Sequence, residues 1–322
     1  MTNLKPYRLM KFSTNLIVIL LAVLLTTNAC AYTYDQNAQP YLTKTFTVNG
    51  AAELLVVTSG GSIDVSSHAG DKIIVEMYVR KGNKSFGPED SEIEDALDDY
   101  TIELNKNSNK VIASAKRESS SWFNSNNNIS ISFKVSVPER TSCKLNTSGG
   151  SIGLAGVKGK QEVRTSGGSL SLTNIDGNME AYTSGGSIKI KDYAGILDAN
   201  TSGGSISLER ATGAMSLHTS GGNISLEDIR GSIVANTSGG NISASLNSLE
   251  KELKLSTSGG NIKTTLPSGL GLDLDLKGNR VHTQLSNFSG KAEKDRIVGT
   301  MNGGGIPVKL STSGGNVSIE YR

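Results

Sequence analysis

The sequence predicts an all-β fold, a right-handed parallel β-solenoid with coils of ~18 residues, a β-rich N-terminal cap and room for one short helix. Three observations predict it. The tetrapeptide Thr-Ser-Gly-Gly begins at Thr58, Thr147, Thr165, Thr183, Thr201, Thr219, Thr237, Thr257 and Thr312, and the five intervals from Thr147 to Thr237 are each 18 residues. Each Gly-Gly is followed by Ser or Asn, and in most copies by an aliphatic residue, one intervening position and a second aliphatic, as in Ile188/Ile190 and Ile206/Leu208. That alternation is a strand with one buried face. Glycine supplies 37 of 322 residues against only 6 prolines, which excludes collagen and a proline-rich linker. Handedness follows from the general preference of parallel crossovers.

Residues 1–31 read as an export signal. Lys5, Arg8 and Lys11 precede an unbroken apolar run from Leu16 to Leu25. Ten residues are too few for a bilayer-spanning helix, which needs ~20, and they suit a signal-peptide core. Two processing routes are open. Ala29 and Ala31 suit cleavage after Ala31, whereas Thr27-Asn28-Ala29-Cys30 resembles a bacterial lipobox in which Cys30 carries lipid. Thr27 stands where that motif usually has Leu. Either route leaves Cys143 as the sole remaining thiol, so no intramolecular disulfide is expected. Residues 32–41 read as a polar tether.

Residues 42–146 start the solenoid with longer excursions and cap one end. Strands are expected over 72–80, 100–104, 110–116 and 129–137, with a short acidic helix within 88–99 and a polar loop over 118–128. Residues 147–265 form the regular coils. In each, a glycine recurs after the second aliphatic residue (Gly159, Gly177, Gly195, Gly213, Gly231). A second strand then sends two columns inward: Gln161, Met179, Leu197, Met215 and Ile233, followed by Val163, Ala181, Ala199, Leu217 and Ala235. Glycines at fixed corners suit turn conformations that other residues resist. Ser and Thr beside them are placed to form ladders along the stack. Outward charges partly alternate, with Lys191 beside Glu209 and Arg210 between Asp192 and Asp228. Residues 266–322 form irregular coils and a cap, with Met301-Asn302-Gly303-Gly304 as a degenerate tetrad.

The tetrad series, the head strands, Val137-Pro138-Glu139-Arg140 and Gly303-Gly304-Gly305 together resemble the bacterial adhesin-labelled family of the DUF4097 type, over about residues 42–322. The resemblance implies an exported β-solenoid of the bacterial envelope: periplasmic, outer-membrane-anchored or extracellular. It implies no demonstrated activity and supplies no catalytic residues.

The residues themselves argue for binding rather than catalysis. Net charge is +2, and without the three basic residues of the signal it is −1, so nothing points to nucleic acid. His68, His218 and His282 share no column. No calcium-loop spacing, nucleotide-binding glycine motif or paired catalytic carboxylates occur. No catalytic residue, cofactor or metal is therefore expected. Trp122 and Phe123, in a loop of Ser and Asn, are the one local ligand-contact candidate; the plainer role is to cap the solenoid. The expected function is an adhesin-like binding or scaffold protein for a surface polysaccharide or protein, touching membrane only through an N-terminal lipid. Two rivals remain, a polysaccharide-acting enzyme and the partner of an envelope-stress system.

Overall fold

The computed structural model describes residues 39–118 and 129–322. Each tetrad joins two strands that belong to two different parallel stacks. In the first stack the strands end on the tetrad threonine, as in Gln161–Thr165 and Met179–Thr183. In the second they begin two residues beyond the Gly-Gly, as in Leu170–Asp176. Further along, the strand leaving one tetrad runs directly into the next: Ile188–Thr201, Ile206–Thr219 and Ile224–Thr237. Register is one repeat throughout, so Ile188, Ile206 and Ile224 are successive neighbours. The 20-residue interval before Thr257 is absorbed by register shifts between Leu226 and Ile233, against Ile242–Thr257.

The interior is a set of apolar columns. Ile188, Ile206 and Ile224 are essentially solvent-free, as are Leu197, Ala199, Leu217, Ile233 and Ala235. The strand interval of ~4.8 Å leaves each side chain in contact with its equivalents above and below. Gln161 is the polar member of its column and is fully buried. Its amide is satisfied there: Nε2 donates to Thr141 O at 3.1 Å and Oε1 accepts from Cys143 N at 3.0 Å. A buried amide needs both bonds to offset its lost hydration.

The two breaks in sequence period are not breaks in space. Ala52–Thr58 pairs in parallel with Thr141–Thr147, and Ile306–Thr312 pairs in parallel with the end of Ile242–Thr257. All nine tetrads therefore stand in consecutive coils, a rise of roughly 38 Å. The excursions lie outside this run. Lys110–Arg117 and Ser130–Pro138 make a coil beyond the Thr58 coil. Leu272–Lys277 and Val281–His282 make one beyond the Thr312 coil.

Each end then turns antiparallel. Lys72–Lys81 pairs antiparallel with Ser130–Pro138, and Tyr100–Asn107 with Lys110–Arg117. At the other end Arg296–Met301 lies antiparallel between Leu272–Lys277 and Phe288–Ala292. The sequence segment Met301-Asn302-Gly303-Gly304 is thus no coil corner. It links Arg296–Met301 to Ile306–Thr312 across the end of Leu272–Lys277, using positive φ at Asn302, Gly303, Gly304 and Gly305. The acidic segment forms a 3-10 turn, Ser91–Ile93, and a single helical turn, Glu94–Leu97, that buries Ile93 and Ala96. No helix among the described residues is long and apolar enough to cross a membrane.

Candidate functional site

The tetrad corner is built by two side-chain ladders. Each threonine hydroxyl donates to the second-glycine carbonyl of the preceding coil, as from Thr219 Oγ1 to Gly204 O at 2.7 Å, and accepts from its own second-glycine amide, Gly222 N at 3.3 Å. The series runs from Thr147, bonded to Gly61 O, to Thr312, bonded to Gly260 O. Beside it, the amide of each Ser or Asn reaches the side chain one coil back. Asn223 N donates to Ser205 Oγ at 3.1 Å and Asn241 N to Asn223 Oδ1 at 2.7 Å. Amides that parallel pairing leaves unpaired at the corner are satisfied by these side chains.

The tetrad glycines act through space rather than through φ. A Cβ at Gly204 would lie 2.1 Å from Gly186 O, and the same contact recurs along the column. The first glycine is looser, with 3.4 Å at Gly203. Positive φ belongs to the opposite corner, at Gly195, Gly213 and Gly231. It also belongs to a column of ordinary residues, Asn174, Asp192, Arg210 and Asp228, with φ between 53° and 56°. Asn and Asp tolerate the left-handed region best. Arg210 is the exception, and its guanidinium is held by Asp192 at 2.7 Å and by Glu209. The Arg210 hydrogen bonds hold the Asp192 carboxyl below its ordinary range. Lys191 lies 3.7 Å from Glu209, as the charge alternation predicts.

The two parallel stacks each present an outward face. On the first, the outward positions of successive strands are Lys160, Glu162 and Arg164, then Asn178, Glu180 and Tyr182, then Ile196, Asp198 and Asn200, and onward through Ala214, Ser216 and His218. On the second, hydroxylated residues stand beside charged ones, as Ser207 with Glu209 and Ser225 with Glu227. Lys144 and Arg164 both bond Glu162, and these bonds, that of Lys144 foremost, hold its carboxyl below the ordinary range.

The candidates for chemistry do not converge. His218 stands on the first face; His68 Nε2 lies 2.8 Å from Lys72 O in an N-terminal turn; His282 lies on the terminal strand at the other end. Cys143 is interior, and burial pushes its thiol up to about 12, so it is neither a nucleophile nor exposed for disulfide exchange. Among the described residues, no three of His, Cys, Asp and Glu stand close enough to hold a metal ion. A shallow cleft of about 360 Å³ lies at the N-terminal corner, between His68, Asp71, Glu139 and Arg140. Trp122, Phe123, Cys30 and Ala31 lie outside the described residues. Sequence reasoning singled out the loop aromatics and passed over Tyr182 and Ile196. The available signal was an apolar residue in an outward column.

Stacked parallel coils, a ladder-closed glycine corner and two outward faces define a repeat-built β-solenoid whose outer surface varies while its corner stays constant. The chain belongs to the Toastrack DUF4097 family, whose model matches residues 53–320. No curated protein matches it. Similar solved structures include a lipid-binding candidate from Parabacteroides distasonis, at 16% identity and TM-score 0.44, covering 88% of this chain and 97% of that one. Candidate adhesins from Bacteroides fragilis (12% identity, TM-score 0.36, 87% and 96% covered) and Parabacteroides merdae (12%, 0.40, 88% and 97%) are also similar.

Proposed function

We propose that the protein is an exported, non-catalytic binding or scaffold protein of the cell envelope that presents a solenoid face to a surface polysaccharide or protein. One observation carries this reading. Nine consecutive coils keep the same corner and interior while their outward residues change from coil to coil, which is the arrangement of a rigid display surface. Export rests on the charged and apolar pattern of residues 1–31.

The test is a glycan array and an envelope-protein pull-down with residues 32–322. Specific capture in either assay is expected, and silence in both removes the reading. Turnover of a polysaccharide by the same preparation would replace it with an enzyme. Lipidation at Cys30 is checked by palmitate labelling of the wild type and Cys30→Ser. Label lost in the variant establishes the anchored form, and an unlabelled wild type with a new N-terminus at Tyr32 establishes cleavage after Ala31.

A further inference from the structure

The first face is not uniform along the stack. On one side its outward positions are charged and cross-linked: Arg164 bonds Glu162 at 2.9 Å and Glu180 at 3.1 Å. In the two coils ending at Thr219 and Thr237 none of the six outward positions is Asp, Glu, Lys or Arg. Charge returns beyond them with Glu252 and Lys254. Four large apolar side chains are exposed among the described residues, and two of them, Tyr182 at 41% and Ile196 at 60%, lie on this face in neighbouring coils. The other two, Leu42 and Val298, belong to the end caps.

One column of this face carries planar, hydrogen-bonding side chains in register: Tyr182, Asn200, His218 and Asn236. They repeat at ~4.8 Å along the solenoid axis. Arg164 lies over the Tyr182 ring, 5.8 Å from its centroid, and fixes the aromatic at the head of the column. Asn200 Nδ2 donates to Asp198 Oδ1 at 2.7 Å, so the nearest carboxylate is already engaged. Among the described residues, neither His218 nor Asn236 bonds to the protein through its side chain.

We infer that this column is a track for an uncharged polysaccharide strand lying along the solenoid axis. The Tyr182 ring takes the C–H face of one sugar unit, and Asn200, His218 and Asn236 take hydroxyls of the units that follow. The chemistry favours this occupant over a protein. Protein partners gain most from aromatic or arginine anchors buried in pockets, whereas this face offers a repeating line of donors and acceptors along the axis with one exposed aromatic. The charged residues in the coils of the track itself, Glu180 and Asp198, are acidic and disfavour a polyanion. The inference rests on the binding function proposed above and assigns it a face and a ligand class.

The experiment is titration of residues 32–322 with cellohexaose and mannohexaose, with polygalacturonate and an envelope-protein pull-down alongside. One of the neutral hexasaccharides is expected to bind with equal affinity at roughly 50 and 500 mM NaCl. Tyr182→Ala should weaken that binding about tenfold, at unchanged melting temperature because the ring is exposed. Asn236→Ala should weaken it by a smaller factor, and Ser225→Ala on the other face should leave it alone. Neutral-sugar binding indifferent to Tyr182→Ala overturns the track and leaves the binding function standing. So does capture of polygalacturonate or protein without either hexasaccharide. No capture of any probe removes both.

Discussion

Between Thr147 and Thr257 every strand has an equivalent neighbour on each side, whereas at the two ends the neighbours are unlike and, among the described residues, the outermost strands have one on a single side. The middle satisfies its backbone by repetition. Its ladders of Thr and of Ser or Asn pass from coil to coil without a special residue. The ends satisfy theirs individually. Among the described residues, Leu42–Thr47 pairs only with Lys72–Lys81, and Tyr100–Asn107 only with Lys110–Arg117. Two lysines tie those outer strands together: Lys44 Nζ donates to Leu104 O at 2.7 Å and Lys106 Nζ to Thr47 O at 2.5 Å. Charged side chains on an exposed edge also discourage pairing with another chain. At the far end, among the described residues, Phe288–Ala292 pairs only with Arg296–Met301, where Gly290 faces Gly299 and the Phe288 ring lies close to both. Uniform repetition makes a stack extendable, and irregular antiparallel caps stop it.

The junction between these regions can be probed first. Cys143 lies in Thr141–Thr147, where the regular run meets the Thr58 coil. With its thiol pushed up to about 12 by burial, alkylation should run ~10³-fold slower than for a free thiol of pKa ~8.5. Iodoacetamide kinetics measure this. Labelling at the free-thiol rate would show the N-terminal cap opening away from the middle.

Glycine substitutions should separate the regions next. Gly204→Ala puts a methyl 2.1 Å from Gly186 O, where the whole stack resists displacement, so a loss of about 3 kcal/mol or more is expected. Gly303→Ala in the C-terminal connection meets no atom within 4 Å and carries only the strain of φ +86°, about 1 kcal/mol. Denaturant melts of both variants would show the order, and equal losses would mean that repetition adds no rigidity.

The ladder itself gives a smaller contrast. Thr219→Val removes a buried donor to Gly204 O and should cost about 1–2 kcal/mol. Thr264, in the second stack, is fully buried and, among the described residues, has no partner for its hydroxyl. Thr264→Val should therefore be neutral or stabilising by up to about 1 kcal/mol. A destabilised Thr264→Val would show that the hydroxyl has a partner in solution.

The smallest effect concerns acid. Asp192 and Glu162 have folded-state pKa values below their unfolded ones. Their contribution is fully present above the unfolded pKa, about 4, and is lost as pH falls through the lower folded value. Asp192→Asn should lower the melting temperature slightly at neutral pH, where the contribution is fully present, and should converge with the wild type as pH falls below about 4, so that its acid decline is flatter. A neutral-pH loss as large as that of Thr219→Val would mean that the left-handed Arg210 depends on this pair for its conformation.

In the regular coils, the interior was legible residue by residue. The period placed Ile188 over Ile206, and the alternation sent Met179 and Leu197 inward. The charge pairs Lys191–Glu209 and Arg210–Asp192 followed from the same columns. The row headed by Tyr182 was present in those columns too. It gained meaning only when exposure, the contact with Arg164 and the uncharged coils beside it were known together.

The sequence alone determined that 18 glycines fall in nine tetrads and that each tetrad is the same corner of a coil. A fixed period defines the neighbour of every residue wherever consecutive coils follow one another, because the strand interval and the side-chain alternation do not change. Tertiary structure decided the rest. Gaps of 89 and 55 residues say nothing about which coil lies against which, and only the burial of open edges placed the Thr58 and Thr312 coils directly on the regular run with other coils outside them. It also decided what the tetrad glycines are for. Sequence suggests a turn conformation, whereas the stacked carbonyl of the preceding coil leaves no volume for a Cβ at the second glycine, a constraint that exists only between neighbouring coils.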